Sequence, residues 1–387
     1  MTYVGIDISK YKHDCFIVND LGEVIEPVFS FENNASGFAK LSSALDKIKD
    51  EKRIGFEATG HYGLNLKHFL ITSGNSFMEI NPVLIKKYIQ SHSLRRTKTD
   101  KLDATVIASY LSSVEFKPYP ASLYHAFSLK SLTRLRDRLI RQRSGYKVRL
   151  TNVLDIIFPE FKPFFNNRFS TTALYILANY PSPEKIANMN VRSYDTLRRI
   201  SRGKFSMPQF VQLKHLAKNT VGNSDDIMCF ELNTLLELYS QLDSKIEDTE
   251  QKIAALIREI DPPMLSIPGV GVMSAAVILS EYGSISNFST VSRILAFAGL
   301  EPGVHESGTE ANNGKMVKHG SAHLRYAILN CCTPVMLYNE VFAEYYYKKI
   351  AEGKPHGVAM SHVAKKLLRL IFTLETRNIK FDHEKLR

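Results

Sequence analysis

The chain has 387 residues, enough for two or three cores, and its 44% hydrophobic share is that of a soluble globular protein. No run approaches the roughly eighteen apolar residues of a membrane span, and Met1 leads into YVGIDIS without a signal-like leader, so a cytosolic protein without membrane contact is expected. The formal charge of +11 is uneven: residues 111–220 hold 19 Lys and Arg against 6 Asp and Glu, residues 221–264 hold 3 against 10, and such a positive field favours a polyanion, most often nucleic acid, with a solvated basic helix as the plain alternative.

The four cysteines, Cys15, Cys229, Cys331 and Cys332, form no CxxC pair and no zinc-type Cys/His spacing. Free thiols are expected. The first hundred residues read as strands YVGIDIS, HDCFIVND and VIEPVFSFEN, helix GFAKLSSALDKI, strand RIGFEATG, helix GLNLKHFLITSG, strand SFMEINP and helix VLIKKYIQ. Three consecutive strands followed by alternating helices and strands is the order of an RNase H-like α/β domain, here placed at residues 1–115. A closing helix begins near Thr99.

Residues 116–262 read as a helical region with an insert. From Ser128 a long basic helix carries an interrupted apolar seam of Leu132, Leu139, Tyr146, Leu150, Val153 and Ile157. Farther on, Met228, Leu232, Leu235, Tyr239, Leu242, Ile246, Thr249, Ile253, Leu256 and Ile260 recur at steps of four and three in an acidic helix. That heptad seam predicts a coiled coil, formed within one chain or between protomers. The proline- and aromatic-rich residues 160–222 between the helices show no legible chemistry, although RRISRGK, residues 198–204, could touch phosphates. Residues 263–387 should be mostly helical. They open with IPGVG, where Gly269 and Gly271 permit close backbone approach, as in a helix-hairpin-helix DNA-backbone binder or a plain packing corner.

Asp100 and Asp103 stand at i and i+3 on the closing helix, so their carboxylates share one side. Asp7 lies on the first strand, which should be central, and Glu57 ends the fourth, its expected neighbour. Crowded like charges repel unless a cation lies between them, and oxygen ligands at this spacing suit Mg²⁺ or Mn²⁺. Two such ions clamp the attacking and leaving oxygens of a phosphodiester.

GIDISK, FEATGHY, INP and KTDKLDA, followed by LSIPGVGVMSAAVILSEYG and AFAGLEPGVHESGTEANNGKMVKHGSAHLRYAI, resemble in that order the DEDD-type transposases of bacterial insertion sequences. These form the IS110 (IS1111) family of bridge-RNA-guided recombinases. The resemblance covers about residues 3–112 and 264–332. It implies a RuvC-like domain whose acidic, metal-binding quartet is Asp7, Glu57, Asp100 and Asp103, and a carboxyl domain whose nucleophilic serine is Ser307. It also implies donor and target DNA, a structured noncoding guide RNA, a homo-oligomer, and strand exchange through a phosphoserine. His305, Lys315, Lys318, His319 and Arg325 lie near Ser307 in sequence and could hold phosphate. The chain departs from the family in a longer, less basic loop after Ser307, a longer middle segment and the absence of Trp.

Three rival readings stand beside this one. A RuvC-like junction nuclease needs the acids but not Ser307, and an inactive nucleic-acid scaffold needs neither. A sugar-kinase-like protein shares GIDIS but lacks the later glycine-rich phosphate loops.

Overall fold

The computed structural model describes residues 1–58, 60–92, 100–119, 123–307, 310–316 and 319–386, with the side chains of 92, 100–102, 123–127, 302–307, 310–316 and 385–386 left aside. The chain divides into two compact units, residues 1–124 and 125–387.

The first unit is a five-stranded sheet with helices on both faces. Its strands are β1 (Thr2–Ile8), β2 (Lys12–Asn19), β3 (Val24–Glu32), β4 (Lys52–Glu57) and β5 (Phe77–Ile80), in the order β3-β2-β1-β4-β5. The first three form an antiparallel meander, while β4 and β5 continue parallel to β1. Pro27 cannot donate to a ladder, and it stands in β3, which is an edge strand. The helices are α1 (Ala35–Asp46), α2 (Leu64–Thr72), α3 (Pro82–His92) and α4 (Asp100–Ser113). Alternation along β1 divides the cores: Val4, Ile6 and Ile8 pack with Leu41 and Leu45 of α1 and Leu66 and Leu70 of α2. Tyr3 packs instead with Ile107, Ala108 and Leu111 of α4 and Ile85 of α3.

The second unit is mostly helical. Helices α5 (Leu123–Ile157) and α11 (Asp226–Ile260), each of 35 residues, flank five short ones: α6 (Phe161–Phe164), α7 (Thr171–Asn179), α8 (Pro183–Ala187), α9 (Val191–Ile200) and α10 (Met207–Lys218). Arg136 pairs with Glu250 and Arg143 with Asp243, so a step of seven up α5 is a step of seven down α11. The two long helices therefore run antiparallel within one chain. Leu150, Val153, Leu154 and Ile157 meet Leu232, Leu235, Leu236 and Tyr239 at one end, and Leu129 meets Ile253 and Ile257 at the other.

The heptad expectation drifts at its end. Ile257 is fully buried, whereas Leu256 and Ile260 are half-buried. The cause is a third neighbour: Ala276 of α12 (Val272–Tyr282) joins that cluster and rotates the covered face.

A last core gathers α12, α13 (Val291–Phe297), α14 (Ala322–Tyr338), α15 (Glu340–Ala351) and α16 (His356–Arg377) around residues such as Ile278, Leu324, Ile328, Phe342 and Leu367. Gly269, at φ 97, leaves no room for a β-carbon, which would stand 2.5 Å from the amide nitrogen of Val335. Its close approach is thus to α14, the role of a packing corner. One two-stranded ribbon, β6 (Pro302–Ser307) and β7 (Glu310–Met316), interrupts the helices. Burial pushes the Cys332 thiol up to about 12, in keeping with free, inert cysteines. Among the described residues no helix is long and apolar enough to cross a membrane.

Candidate active site

Strands β1 and β4 pair in parallel from Thr2↔Lys52 to Ile6↔Phe56. One register step further stand Asp7 and Glu57, both half-buried, at the carboxyl ends of adjacent strands about 5 Å apart. Gly5 shares a sheet face with Asp7, and Gly55 shares it with Glu57, because residues two apart on a strand point the same way. Helix α4 covers that face. A β-carbon on Gly5 would stand 2.2 Å from the Ala104 carbonyl oxygen, and one on Gly55 would stand 2.8 Å from the Leu111 side chain.

These contacts also fix the direction of α4. Tyr3 clusters with residues between Ile107 and Leu111, and Gly5 abuts Ala104 and Ala108, so advancing along β1 means retreating along the helix. From Gly5 to Asp7 the strand advances about 6.7 Å, and from Ala104 back to Asp100 the helix retreats about 6 Å. The amino end of α4 is thereby level with Asp7 and Glu57. Asp103 is half-buried and adjoins Ala104. Asp100 is the first residue of the helix, and its side chain lies outside the described ones. Among the described residues, no group of three or more His, Cys, Asp and Glu is gathered so as to hold a metal ion; that set excludes Asp100.

A fifth acid, which the sequence reading passed over, belongs to the same face. Asp14 of β2 is the direct partner of Asp7 across the antiparallel β1–β2 ladder. It is only 4% exposed, and it accepts a hydrogen bond from Ser30 Oγ. The signal for it is the tight β1–β2 turn, which fixes the pairing, yet it becomes visible only once the hairpin register is known. His13, its neighbour, points to the opposite face and is fully buried beside Phe31, with neither ring nitrogen hydrogen-bonded. Burial holds its pKa below the usual value.

Ser307 ends β6 and pairs with Glu310, which puts its backbone at the tip of the β6–β7 ribbon; its side chain lies outside the described ones. The side chains of His305 and Lys315 lie outside them too, as does all of Lys318, and His319 is exposed. The ribbon's root is firmly held. The Ser321 amide donates to the Phe297 carbonyl at 2.7 Å, and Arg325 Nη1 donates to the Ala298 carbonyl at 3.0 Å. At Gly320, φ 96, a β-carbon would stand 2.1 Å from the Phe297 oxygen. Arg325, read from sequence as a phosphate contact, is engaged in this anchor. Ser321 Oγ donates to Glu281 Oε2, and Arg134 Nη2 donates to Glu281 Oε1, each at 2.6 Å. Glu281, another residue that sequence reasoning missed, is only 6% exposed.

Comparison with known proteins gives matches of the same order. Residues 4–159 match the DEDD_Tnp_IS110 model, described as a transposase, and residues 262–347 match a model described as the transposase IS116/IS110/IS902 family. The chain is 22% identical to an insertion element IS116 protein of Streptomyces clavuligerus, over 96% of this chain and 94% of that one. It is 23% identical to the mini-circle putative transposase for IS117 of Streptomyces coelicolor, covering 99% and 96%. With the pilin gene-inverting protein of Moraxella bovis it shares 24% identity, covering 98% of each.

Proposed function

As a member of the IS116/IS110/IS902 family, the chain is a transposase or recombinase acting on DNA, and we propose that it cleaves and rejoins strands through Ser307, assisted by the acidic quartet Asp7, Glu57, Asp100 and Asp103. The observation that supports this reading lies at the carboxyl ends of β1 and β4. The register there leads on to Asp7 and Glu57, and the seat of Gly5 against Ala104 brings the amino end of α4, which carries Asp100 and Asp103, level with the same strand ends. The strand order β3-β2-β1-β4-β5 supports an RNase H-like, RuvC-like domain.

All four donors of the quartet are carboxylates, the hard oxygen set that suits Mg²⁺ or Mn²⁺. A divalent ion held there supplies charge neutralisation of a phosphodiester and a lowered pKa for a nearby hydroxyl. The serine hydroxyl attacks phosphorus, forming one P–O bond; the departing sugar oxygen takes up a proton as its own P–O bond breaks. In the return step a sugar hydroxyl attacks the phosphoserine, a new phosphodiester forms, and Ser307 regains its proton. No bond energy is lost to water, so exchange proceeds without ATP. The pilin gene-inverting relative favours this recombination over the junction-hydrolysis alternative. Target choice by a structured guide RNA, and assembly as a homo-oligomer, belong to the same proposal, on the strength of the family resemblance.

Purified protein with its element's DNA, noncoding RNA and Mg²⁺ should form a DNA adduct stable in denaturant. Ser307→Ala should abolish that adduct, and Asp103→Asn should reduce it at least about a hundredfold, the scale of losing one electrostatic stabiliser. Recombination by Ser307→Ala at the parental rate would refute the assignment.

A further inference from the structure

We propose that the helical insert, residues 160–222, is a nucleic-acid-binding surface that grips the phosphodiester backbone through its α9–α10 turn. The family reading supplies only the class of partner; the surface itself is argued from charge and geometry.

The insert packs Phe161, Ile176, Ile186, Leu197, Phe210 and Leu213 into one core with the facing ends of α5 and α11. It holds ten Lys and Arg against three Asp and Glu, Glu160, Glu184 and Asp195. Its charge is less neutralised than that of α5, the other basic element. On α5, Arg134, Arg136, Arg141 and Arg143 are all in ion pairs, three of them with acids of α11 or α12. Among the described residues none of the ten cations of the insert is in one. One of its three acids is also occupied, since Glu160 accepts from Thr220 Oγ1 and the Val221 amide. Half of the eight cations of α5 between Lys130 and Arg149 are therefore engaged in ion pairs, and the insert adds a second, less neutralised positive field to that of α5.

Its cations converge. Arg198, Arg199, Arg202 and Lys204 are all exposed within seven residues at the end of α9 and in the turn beyond it. A helix carboxyl end favours cations by itself, which accounts for Arg198 and Arg199. It does not account for Arg202 and Lys204, which lie past the helix. Arg202 adopts φ 53, an uncommon conformation for a side chain of that size. Arg202 and Lys204 line a shallow hollow of about 430 Å³ together with Phe165 and the hydroxyl residues Ser170, Thr171 and Thr172. Those three residues cap and begin α7, whose amino end adds its partial positive charge. Two residues before the cap, Arg168 Nη1 is buried without an acceptor. Two free guanidinium or ammonium groups, consecutive hydroxyls and a helix amino end are the donors a phosphate takes, and Phe165, stacked on Phe205, supplies an apolar wall to the hollow.

The test is fluorescence anisotropy over a range of salt concentrations, with labelled duplex DNA in one arm and single-stranded RNA in the other. The protein is full-length Asp7→Asn, so cleavage does not intrude. Replacing Arg198, Arg199, Arg202 and Lys204 together by Ala should lower affinity at least about tenfold for the true ligand. The slope of log K against log salt should fall by about 3.6 if that ligand is duplex DNA, or about 2.8 if it is single-stranded RNA. Arg202→Gly separates binding from folding: glycine suits φ 53, so unfolding temperature should hold or rise while binding weakens. Unchanged affinity and slope in both arms would overturn the proposal, as would weakening by Arg136→Ala to the same extent, because Arg136 is already paired. A parental protein that forms no DNA adduct yet shows the full salt slope would sink the phosphoserine reading and leave this one standing.

Discussion

Gly5 lies against the backbone of Ala104 so closely that a β-carbon on it would stand 2.2 Å from the carbonyl oxygen, and 2.6 Å from the Ala108 amide nitrogen. Helix backbone cannot yield as a side chain can. Gly5→Ala should therefore lift the amino end of α4 from β1, at a cost of about 1–3 kcal/mol, and separate Asp103 from Asp7. Gly55→Ala meets only the branched tip of Leu111 at 2.8 Å and should cost less. Denaturant unfolding of both variants, with DNA-adduct yield measured alongside, checks the order. A Gly5→Ala protein as stable and active as the parent would mean that α4 is not seated there.

Asp14 and Asp7 face each other across β1 and β2, and like charges directly opposite on a sheet destabilise it. Asp14→Asn keeps an acceptor for Ser30 Oγ and removes one charge. The metal-free protein should then melt higher than the parent, and the rise in melting temperature on adding Mn²⁺ should be smaller. Equal metal-free melting temperatures would show that the two carboxylates do not repel.

The first unit was largely legible in the sequence because its strands are apolar runs between turn residues and its helices carry a 3.6-residue period. Asp7 and Glu57 followed from strand position alone, since each ends a strand that the topology makes central. Asp14 did not, because its importance comes from a cross-strand partner that no local pattern reveals. The pairing of α5 with α11 was foreshadowed by opposite charge and matching length. The shift of burial from Leu256 to Ile257 was not, because it depends on α12 arriving from elsewhere. Within residues 160–222 the helices run from four to twelve residues, too short for periodicity to show, although the caps at Ser182, Asn190 and Ser206 are recognisable afterwards. The β6–β7 ribbon, EANNGKM on one side, has no apolar alternation and escaped notice for that reason.

His13 is fully buried with both ring nitrogens unsatisfied, and Asn33 and Asp14 are the polar groups that bear on it. Burial depresses its pKa in the fold below 6.5, so the neutral ring contributes stability that is complete above 6.5 and lost as pH falls through the lower, folded value. His13→Leu should raise stability by about 1–3 kcal/mol at neutral pH by removing the orphaned polar atoms. It should also flatten the loss of stability on acidification. Thermal melts between pH 7.5 and pH 5 decide this, roughly the range over which an ordinary histidine titrates; a variant that loses stability with acid as steeply as the parent would exonerate His13.

The Glu281 carboxylate is buried between Arg134 and Ser321, whereas the Asp137–Arg141 pair lies on the surface of α5, its arginine 73% exposed. Removing one partner of a buried pair strands the other charge, at 3–5 kcal/mol for full burial; with Arg134 itself about a third exposed, roughly 2–3 kcal/mol is expected for Arg134→Ala. Arg141→Ala should cost no more than about 0.5 kcal/mol. Arg134→Met combined with Glu281→Gln removes both charges and keeps an acceptor for Ser321 Oγ, so it should recover most of the loss. Ser321 caps α14, the helix that follows the β6–β7 ribbon in the chain, so DNA-adduct yield should fall with Arg134→Ala and return with the double variant. If stability recovers in the double variant but adduct yield does not, Arg134 acts on nucleic acid directly; if Arg134→Ala costs no more than Arg141→Ala, the buried carboxylate does not depend on it.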